Sequence, residues 1–357
     1  MLLPEQMASN CTEDITSMLE EASRIATSSS WLIRLSAMHI YTSIIPFLPL
    51  QSRIYEAYRH QSTPSAIVLT GREETWQVGE ARLKELPDDK MRCMRFSPDG
   101  GKLVIGSERG VVEIRNALTG EVDMVDKSHE GAITALAFSQ DSFQLATGSE
   151  DKNVRLWPNT SEAEHRILEG HHSTIVDITC SAQDDKICST STDGVICIWD
   201  TSESALLSTF QTNLPDLSSV SFHPHTSRII ISKTKSDVLR IWDVSTRSPT
   251  PPRSNSTAIS ASHPSQTIPI TFSDGTSCLL ESISNTIVML ERAPTGSSLK
   301  TQTYEDRTAI IYGAEMKTVC WLPSDIEVVK EESHINKLAF SARDGRFFLL
   351  DFSRLHL

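Results

Sequence analysis

Apolar and polar residues alternate in short runs through the middle of this chain. In ITALAFSQDSFQLATGSEDKNVRLW, Ile133, Ala135 and Ala137, then Phe143 and Leu145, then Val154 and Leu156 keep a period of two, and polar turns at Gln140-Asp141 and Glu150-Asp151 separate the runs. That period predicts half-buried strands joined by tight turns. The pattern then returns. LATGSEDKNVRLW at Leu145 to Trp157 is rebuilt as KICSTSTDGVICIW at Lys186 to Trp199, and more loosely as IIISKTKSDVLRIW at Ile229 to Trp242. Trp157, Trp199 and Trp242 stand 42 and 43 residues apart, and Asp151, Asp193 and Asp237 precede them by five or six residues, each at a predicted turn.

A repeat of about 40 to 45 residues with four strands per unit is the signature of a propeller blade. Upstream, VIGSERGVVEIR puts Arg115 at the tryptophan position. Downstream, ITFSDGTSCLLESISNTIVML puts Leu290 there, and two shorter units end near Trp321 and Leu350. These seven positions predict seven blades. The intervals between them are 42, 42, 43 and 48 residues, then 31 and 29, too short for four full strands each, so six blades or an incompletely closed ring is the alternative. One such sheet cannot bury both faces alone, so the blades must stack and the array must close or be capped. Ala66 to Thr70, apolar and β-branched between Pro64 and Gly71, is the best upstream strand. It is expected to pair with the final unit near Phe347 to Phe352, because an unpaired strand edge invites aggregation.

The first ninety residues follow a different period. Within Glu13 to Ile40, residues Ile15, Met18, Leu19, Ala22, Ile25 and Ala26 fall on one helical face, with Thr12 as a candidate cap. This stripe is expected to pack against the propeller or a missing neighbour; a membrane-surface helix is disfavoured because its polar face is acidic. The division is therefore a helical segment over residues 1–60 and a propeller over 61–357. Residues 245–265 are polar and proline-rich and read as an exposed loop, with Ser248 and Thr250 each preceding a proline.

Composition narrows the classes. With 33 Lys and Arg against 46 Asp and Glu, the formal net charge is −13 and there is no basic cluster beyond pairs, which argues against nucleic-acid binding. The seven cysteines are scattered, without a CxxC pair, so neither a zinc site nor a disulfide framework is supported and the reading is a reduced, cytoplasmic protein. No run approaches about 18 uninterrupted apolar residues, which argues against a membrane span. Nothing points to a cofactor.

Over Met91 to Asp243 the chain resembles the WD-repeat family of β-propellers, through Gly170-His171 in LEGHHSTIVDI, Trp199-Asp200 in CIWD, and Ser128-His129 with Trp157 in RLWP, where Pro158 replaces the terminal Asp. The resemblance implies an all-β propeller in which a buried hydrogen-bond chain ties a His before the first strand to a hydroxyl, a turn Asp and the strand Trp. Carried over, the sets are His129, Thr147, Asp151 and Trp157, and His171, Ser189, Asp193 and Trp199. Their repetition in successive blades makes them structural residues, since partly buried His and Asp must be paired to offset desolvation. A second resemblance lies in SAMHIYTSIIPFLPLQSRIYEAYR. His39, Ile40, Tyr41, Ser43, Pro46, Phe47 and Pro49, then VLTGREETW and the closing CWLPSD and LLDFSRLHL, are similar to fungal NACHT WD-repeat proteins, signalling ATPases of self/non-self recognition. No GxxxxGK[ST] occurs, so the chain looks like the propeller part without its NTPase.

The expected function is a non-catalytic interaction scaffold that presents loops to a protein or peptide, as the sensor part of a recognition system. The alternative is a propeller hydrolase with a site at the ring mouth. Asp184-Asp185 and His171-His172 are its only paired candidate groups.

Overall fold

The computed structural model describes residues 4–29, 33–34, 36, 40–59, 67–72, 74, 90–158, 165–181, 183, 185–212, 216–223, 226–235, 239–243, 267–271, 277–283, 286–292, 299–304, 307–312 and 317–353. The chain divides into two compact units. The first is Met1–Asp88 with Leu118–Gly120 and Gly296–Leu357, and the second is Asp89–Ala117 with Glu121–Thr295.

The first unit opens with α1 (Pro4–Ser28), a π-helical turn at Ile40–Ile44 running into a 3-10 turn at Ile45–Phe47, α2 (Arg53–Tyr58) and strand β1 (Ile67–Thr70). Because α1 begins at Pro4, Thr12 lies inside it rather than at its start, a correction to the sequence reading. Proline is well suited to the first turn of a helix, and nothing between Pro4 and Thr12 breaks it. Of the stripe, Ile25 packs near Ile44 and Leu48, whereas Ile15 and Leu19 are 59% and 65% exposed. The buried side of α1 is instead centred on Glu21, whose carboxylate accepts from Ser52 Oγ at 2.7 Å and from the Arg53 and Ile54 N–H groups at 3.2 Å each. A carboxylate is favourable at the positive end of α2, and these donors satisfy a buried acid.

The second unit is built of antiparallel sheets in chain order. The first is β2 (Met91–Phe96), β3 (Lys102–Ser107), β4 (Val112–Asn116) and β5 (Val122–Asp126). The second is β6 (Ile133–Phe138), β7 (Gln144–Ser149), β8 (Val154–Pro158) and β9 (Arg166–Leu168). The third is β10 (Ile175–Cys180), β11 (Lys186–Ser191), β12 (Val195–Asp200) and β13 (Leu206–Gln211). Among the described residues two three-stranded sheets follow, β14 (Leu217–His223), β15 (Thr226–Thr234) and β16 (Leu239–Asp243), then β17 (Thr267–Thr271), β18 (Ser277–Ile283) and β19 (Thr286–Arg292).

The first strands β2, β6, β10 and β14 are neighbours in succession, and the apolar cores lie between the sheets. Val104, Val112, Ile133, Leu136, Leu145 and Trp157 fill one such layer, and Ala146, Leu156, Ile175, Ile178, Cys197 and Trp199 contribute to the next. Close approach demands glycine at equivalent places on the second strands: a Cβ on Gly106 would meet Ile133 Cγ2 at 2.6 Å, and one on Gly148 would meet Ile175 Cγ2 at 2.5 Å. Each first strand carries a register shift near its start, at Met91/Cys93, Ile133/Ala135, Ile175/Asp177 and Leu217/Ser219. A bulge at each of these sites increases local twist. The turn joining β6 to β7 corrects one residue of the alternation. Asp141 Oδ1 accepts from Phe143 N–H at 2.9 Å and from Ser139 Oγ at 2.5 Å, which puts Phe143 in the turn, largely exposed, and starts the strand at Gln144. Ser97 and Asp99 build a similar turn between β2 and β3.

The first unit resumes with β20 (Leu299–Tyr304), β21 (Arg307–Tyr312) and β22 (Lys317–Trp321), then β23 (Val328–His334), β24 (Lys337–Ala342) and β25 (Phe347–Asp351). The short final intervals now have a physical account. The described residues between β22 and β23 hold only a turn, so β20–β22 makes a three-stranded sheet. The sheet β23–β24–β25 takes its fourth strand from β1, with Ile67 opposite Asp351 and Val68 opposite Leu350. Trp321 N–H donates to Ser43 Oγ at 3.0 Å, and Ile44, Ile45 and Leu48 pack beside Trp321. The helical turns of the N-terminal chain thus cover part of the outer edge of β22. Arg115, Trp157, Trp199, Trp242, Leu290, Trp321 and Leu350 each fall on the third strand of one of seven sheets found among the described residues.

Candidate functional site

The sequence points to the polar residues of the second and third sheets, and their geometry decides what they can do. In the second sheet His129 lies before β6, Thr147 on β7, Asp151 in the β7–β8 turn and Trp157 on β8. Trp157 Nε1–H donates to Thr147 Oγ1 at 3.0 Å, and Thr147 Oγ1 lies 2.8 Å from His129 Nε2. The indole can only donate, so the threonine hydroxyl is free to donate to Nε2. On the other side of the ring, His129 Nδ1 lies 2.8 Å from Asp151 Oδ2 and 3.3 Å from Arg155 Nε. Asp151 also receives the N–H groups of Asn153 at 2.9 Å and Glu130 at 3.2 Å. Burial pushes the His129 pKa below its ordinary value, against the opposing pull of Asp151. For Asp151, burial works upward, but the hydrogen bonds from Asn153 and His129 outweigh it and the pKa falls.

The third sheet differs by one link. Trp199 Nε1–H donates to Ser189 Oγ at 2.8 Å, and Ser189 lies 2.7 Å from His171 Nε2. His171 Nδ1 is 2.9 Å from Ser191 Oγ, which donates to Asp193 Oδ1 at 2.6 Å. The structure therefore does not join His171 to Asp193 directly; Ser191 stands between them. Burial lowers the His171 pKa to about 4, opposed by the charge of Asp193 and assisted by His172.

Ser191 was absent from the expected set, yet its signal is in the sequence. Both repeats read hydroxyl, x, Ser, x, Asp, as TGSED and STSTD. Its counterpart Ser149 donates to the Gly131 carbonyl at 2.9 Å and accepts from Asp151 N–H at 3.1 Å. Two buried charged residues were missed as well. Arg155 on β8 reaches His165 Nε2 at 2.7 Å and lies 3.8 Å from Asp151. Asp177 on β10 accepts from Ser219 Oγ at 2.7 Å and Val220 N–H at 2.8 Å, a link from the third sheet to the fourth. Only its position as a lone acid in an apolar strand marks it in the sequence.

Of the groups proposed for hydrolysis, the described ones are Asp185, His171 and His172. Asp184 lies outside the described residues. Asp185 is held in a turn by Ser181 Oγ at 2.7 Å and Lys186 Nζ at 2.7 Å, while both nitrogens of His171 are engaged by serine hydroxyls. Cys197 Sγ lies 3.9 Å from His171 Nδ1, a spacing that invites comparison with a thiolate–imidazolium pair. The electrostatics run the other way. Burial raises the thiol to about 11 and lowers the imidazole to about 4, so both are neutral at pH 7. Among the described residues no group of three or more His, Cys, Asp or Glu is placed to hold a metal ion, and no helix is long and apolar enough to cross a membrane. Asp237 and the loop of Ser248 and Thr250 lie outside the described residues, as do His39 and Pro64.

Comparison with known proteins places this geometry. Residues 121–158 and 163–200, each the outer strand of one sheet followed by the first three strands of the next, match the family described as WD domain, G-beta repeat. The nuclear distribution protein nudF of Aspergillus niger is 33% identical over 123 residues, 34% of this chain and 28% of that protein. WD repeat-containing protein 1 of Bos taurus is 32% identical over 110 residues, 30% of this chain and 18% of that protein. The Cps50 (Swd1) β-propeller domain of Myceliophteria thermophila has 13% identity and a TM-score of 0.54, covering 73% of this chain and 96% of that domain. The fold is that of an all-β WD-repeat β-propeller with an N-terminal helical segment. Two WD repeats are thus present in the chain, which spans less than a third of the length of those two relatives.

Proposed function

We propose that this chain is a non-catalytic interaction scaffold of the cytoplasm, whose exposed turns engage a protein or peptide, and that it is the sensor part of a fungal self/non-self recognition protein. The observation that carries the scaffold reading is the internal use of its polar chemistry: His129, Asp151, His171 and Asp193 are engaged by neighbouring hydroxyl, imidazole and backbone groups of the same sheet. Such groups act as staples, with the sets His129, Thr147, Asp151, Trp157 and His171, Ser189, Asp193, Trp199 in structural roles. The acidic charge of −13 favours partners other than nucleic acid. Described cysteines that are free thiols, among them Cys93 and Cys180, fit a reducing compartment.

The sensor reading rests on the NACHT-like junction around Ser43 to Pro49 and on CWLPSD. Two of its parts meet in the fold, where Ser43 accepts from Trp321 N–H. We place the helical segment at residues 1–60 and the propeller at 61–357, with the segment acting as the connection through which occupancy of the propeller is passed on. A screen of the purified chain against hydrolase substrates tests the non-catalytic claim. No turnover is expected; turnover that vanishes in Asp184→Ala or His172→Ala overturns it.

A further inference from the structure

Strand β9 is the outermost strand of the second sheet and is 3 residues long, and two adjacent side chains fasten it. Arg166 reaches forward to the third sheet, where its Nη1 donates to the Thr201 and Ser202 carbonyls at 3.4 and 2.9 Å and to Ser204 Oγ at 3.1 Å, in the turn between β12 and β13. His165 reaches back to β8. Its Nε2 lies 2.7 Å from Arg155 Nη1, and its ring is tilted 37° against Trp157 with centroids 4.6 Å apart. A guanidinium can only donate, so His165 Nε2 accepts, and an imidazole accepts there only while it is neutral.

The groups around this pair decide what a second proton does. Only 9% of the Arg155 side chain is exposed, and Asp151 Oδ2 lies 3.8 Å from its Nη2. His129 Nδ1 stands 3.3 Å from Arg155 Nε. Asp151 is already committed to His129 and to the N–H groups of Asn153 and Glu130. Across the layer, Met124 on β5 packs with the Trp157 cluster, and Asp126 at the end of that strand accepts from Ser128 Oγ. Burial lowers the pKa of His129, and the charges of Arg155 and His165 lower it further against the pull of Asp151, so this corner of the sheet already resists a second cation. Protonated His165 loses its acceptor lone pair and sets a positive charge against a nearly buried guanidinium, where water screens little.

We propose that the His165–Arg155 contact is an acid-sensitive clip, which holds β9 on the second sheet while His165 is neutral and releases it, with the Arg166 link to the third sheet, when His165 takes up a proton. The released strand binds a proton that the clipped strand refuses. The clip is therefore complete above about pH 6.5, where an imidazole ordinarily titrates, and weakens as pH falls below that value. In the third sheet Cys197 takes the place of Arg155, two residues before the repeat tryptophan, so the device belongs to the second sheet.

Hydrogen exchange of the intact chain at pH 7.5 and 5.5, read by mass spectrometry and corrected for the intrinsic exchange rate at each pH, tests this. Protection of the β9 amides should fall at least tenfold at the lower pH. In His165→Gln, whose side-chain oxygen can accept from Arg155 and takes up no proton, β9 should stay protected at both values. Arg155→Met removes the cation instead of the imidazole and should abolish the pH dependence by a second route. Thermal unfolding at pH 7.5 identifies the variants that keep their fold. Equal protection of β9 at the two pH values in the unaltered chain, or a fall of the same size in either folded variant, overturns the proposal.

Discussion

Trp199 is 1% exposed, and its indole N–H is one end of the chain that runs through Ser189, His171 and Ser191 to Asp193. Trp199→Ala removes a large buried ring and orphans Ser189, and should cost about 3 to 5 kcal/mol in urea denaturation. Ser191→Ala is a sharper test of the extra link. It leaves His171 Nδ1–H buried without its acceptor, so a loss of about 1 to 3 kcal/mol is expected, and no loss would mean that Ser191 is not part of the chain. Acid should have a related effect. The folded His171 titrates at about 4 against an ordinary value of 6.5, so between those values the unfolded chain binds a proton that the folded chain refuses. Stability contributed by the neutral imidazole is complete above pH 6.5 and is lost as pH falls toward 4. Thermal melting followed from pH 7 to 4.5 should show a downward slope that flattens in His171→Gln. The direct half of this residue pattern is readable in the sequence, because the His, hydroxyl, Asp and Trp recur at one period. Whether an imidazole reaches the carboxylate or stops at an intervening hydroxyl is a matter of side-chain position that spacing cannot express.

At the scale of the elements, period two and the repeat were enough to place most strands and the turn at Glu150-Asp151. Three things were not legible. Bulges leave no compositional mark, yet one recurs near the start of each of the first four sheets. The exposure of Ile15 and Leu19 follows from where α1 docks, through Glu21, which a hydropathy stripe cannot reveal. The role of Gly148 depends on the neighbouring sheet: with a new Cβ 2.5 Å from Ile175 Cγ2, Gly148→Ala should destabilise by about 1 to 3 kcal/mol through overpacking, measurable by thermal unfolding. An unchanged melting temperature would contradict the close packing of the second and third sheets. By contrast, the pairing of β1 with β25 follows from the sequence, because the final unit is too short to supply its own fourth strand and Ile67 to Thr70 is the apolar, β-branched run available.

For the whole molecule, the N-terminal chain completes what the C-terminal repeats lack. It provides a strand beside β25 and helical turns beside β22. Deleting residues 1–75 should therefore expose both edges and give aggregated protein, whereas deleting 1–30 leaves Ser43, Ile44 and β1 in place and should leave the protein soluble in light scattering. Equal solubility of the two would remove the reason for these contacts. The central claim is that the chain's polar chemistry is used to hold the blades while its exposed turns are available to a partner. The most direct test is affinity capture from the source cell with the intact chain, followed by cross-linking and mass spectrometry. The account predicts a stoichiometric protein or peptide cross-linked to exposed turn lysines such as Lys152 and Lys235, captured equally by His172→Ala. Loss of capture in His172→Ala together with turnover of a small substrate by the unaltered chain would contradict it.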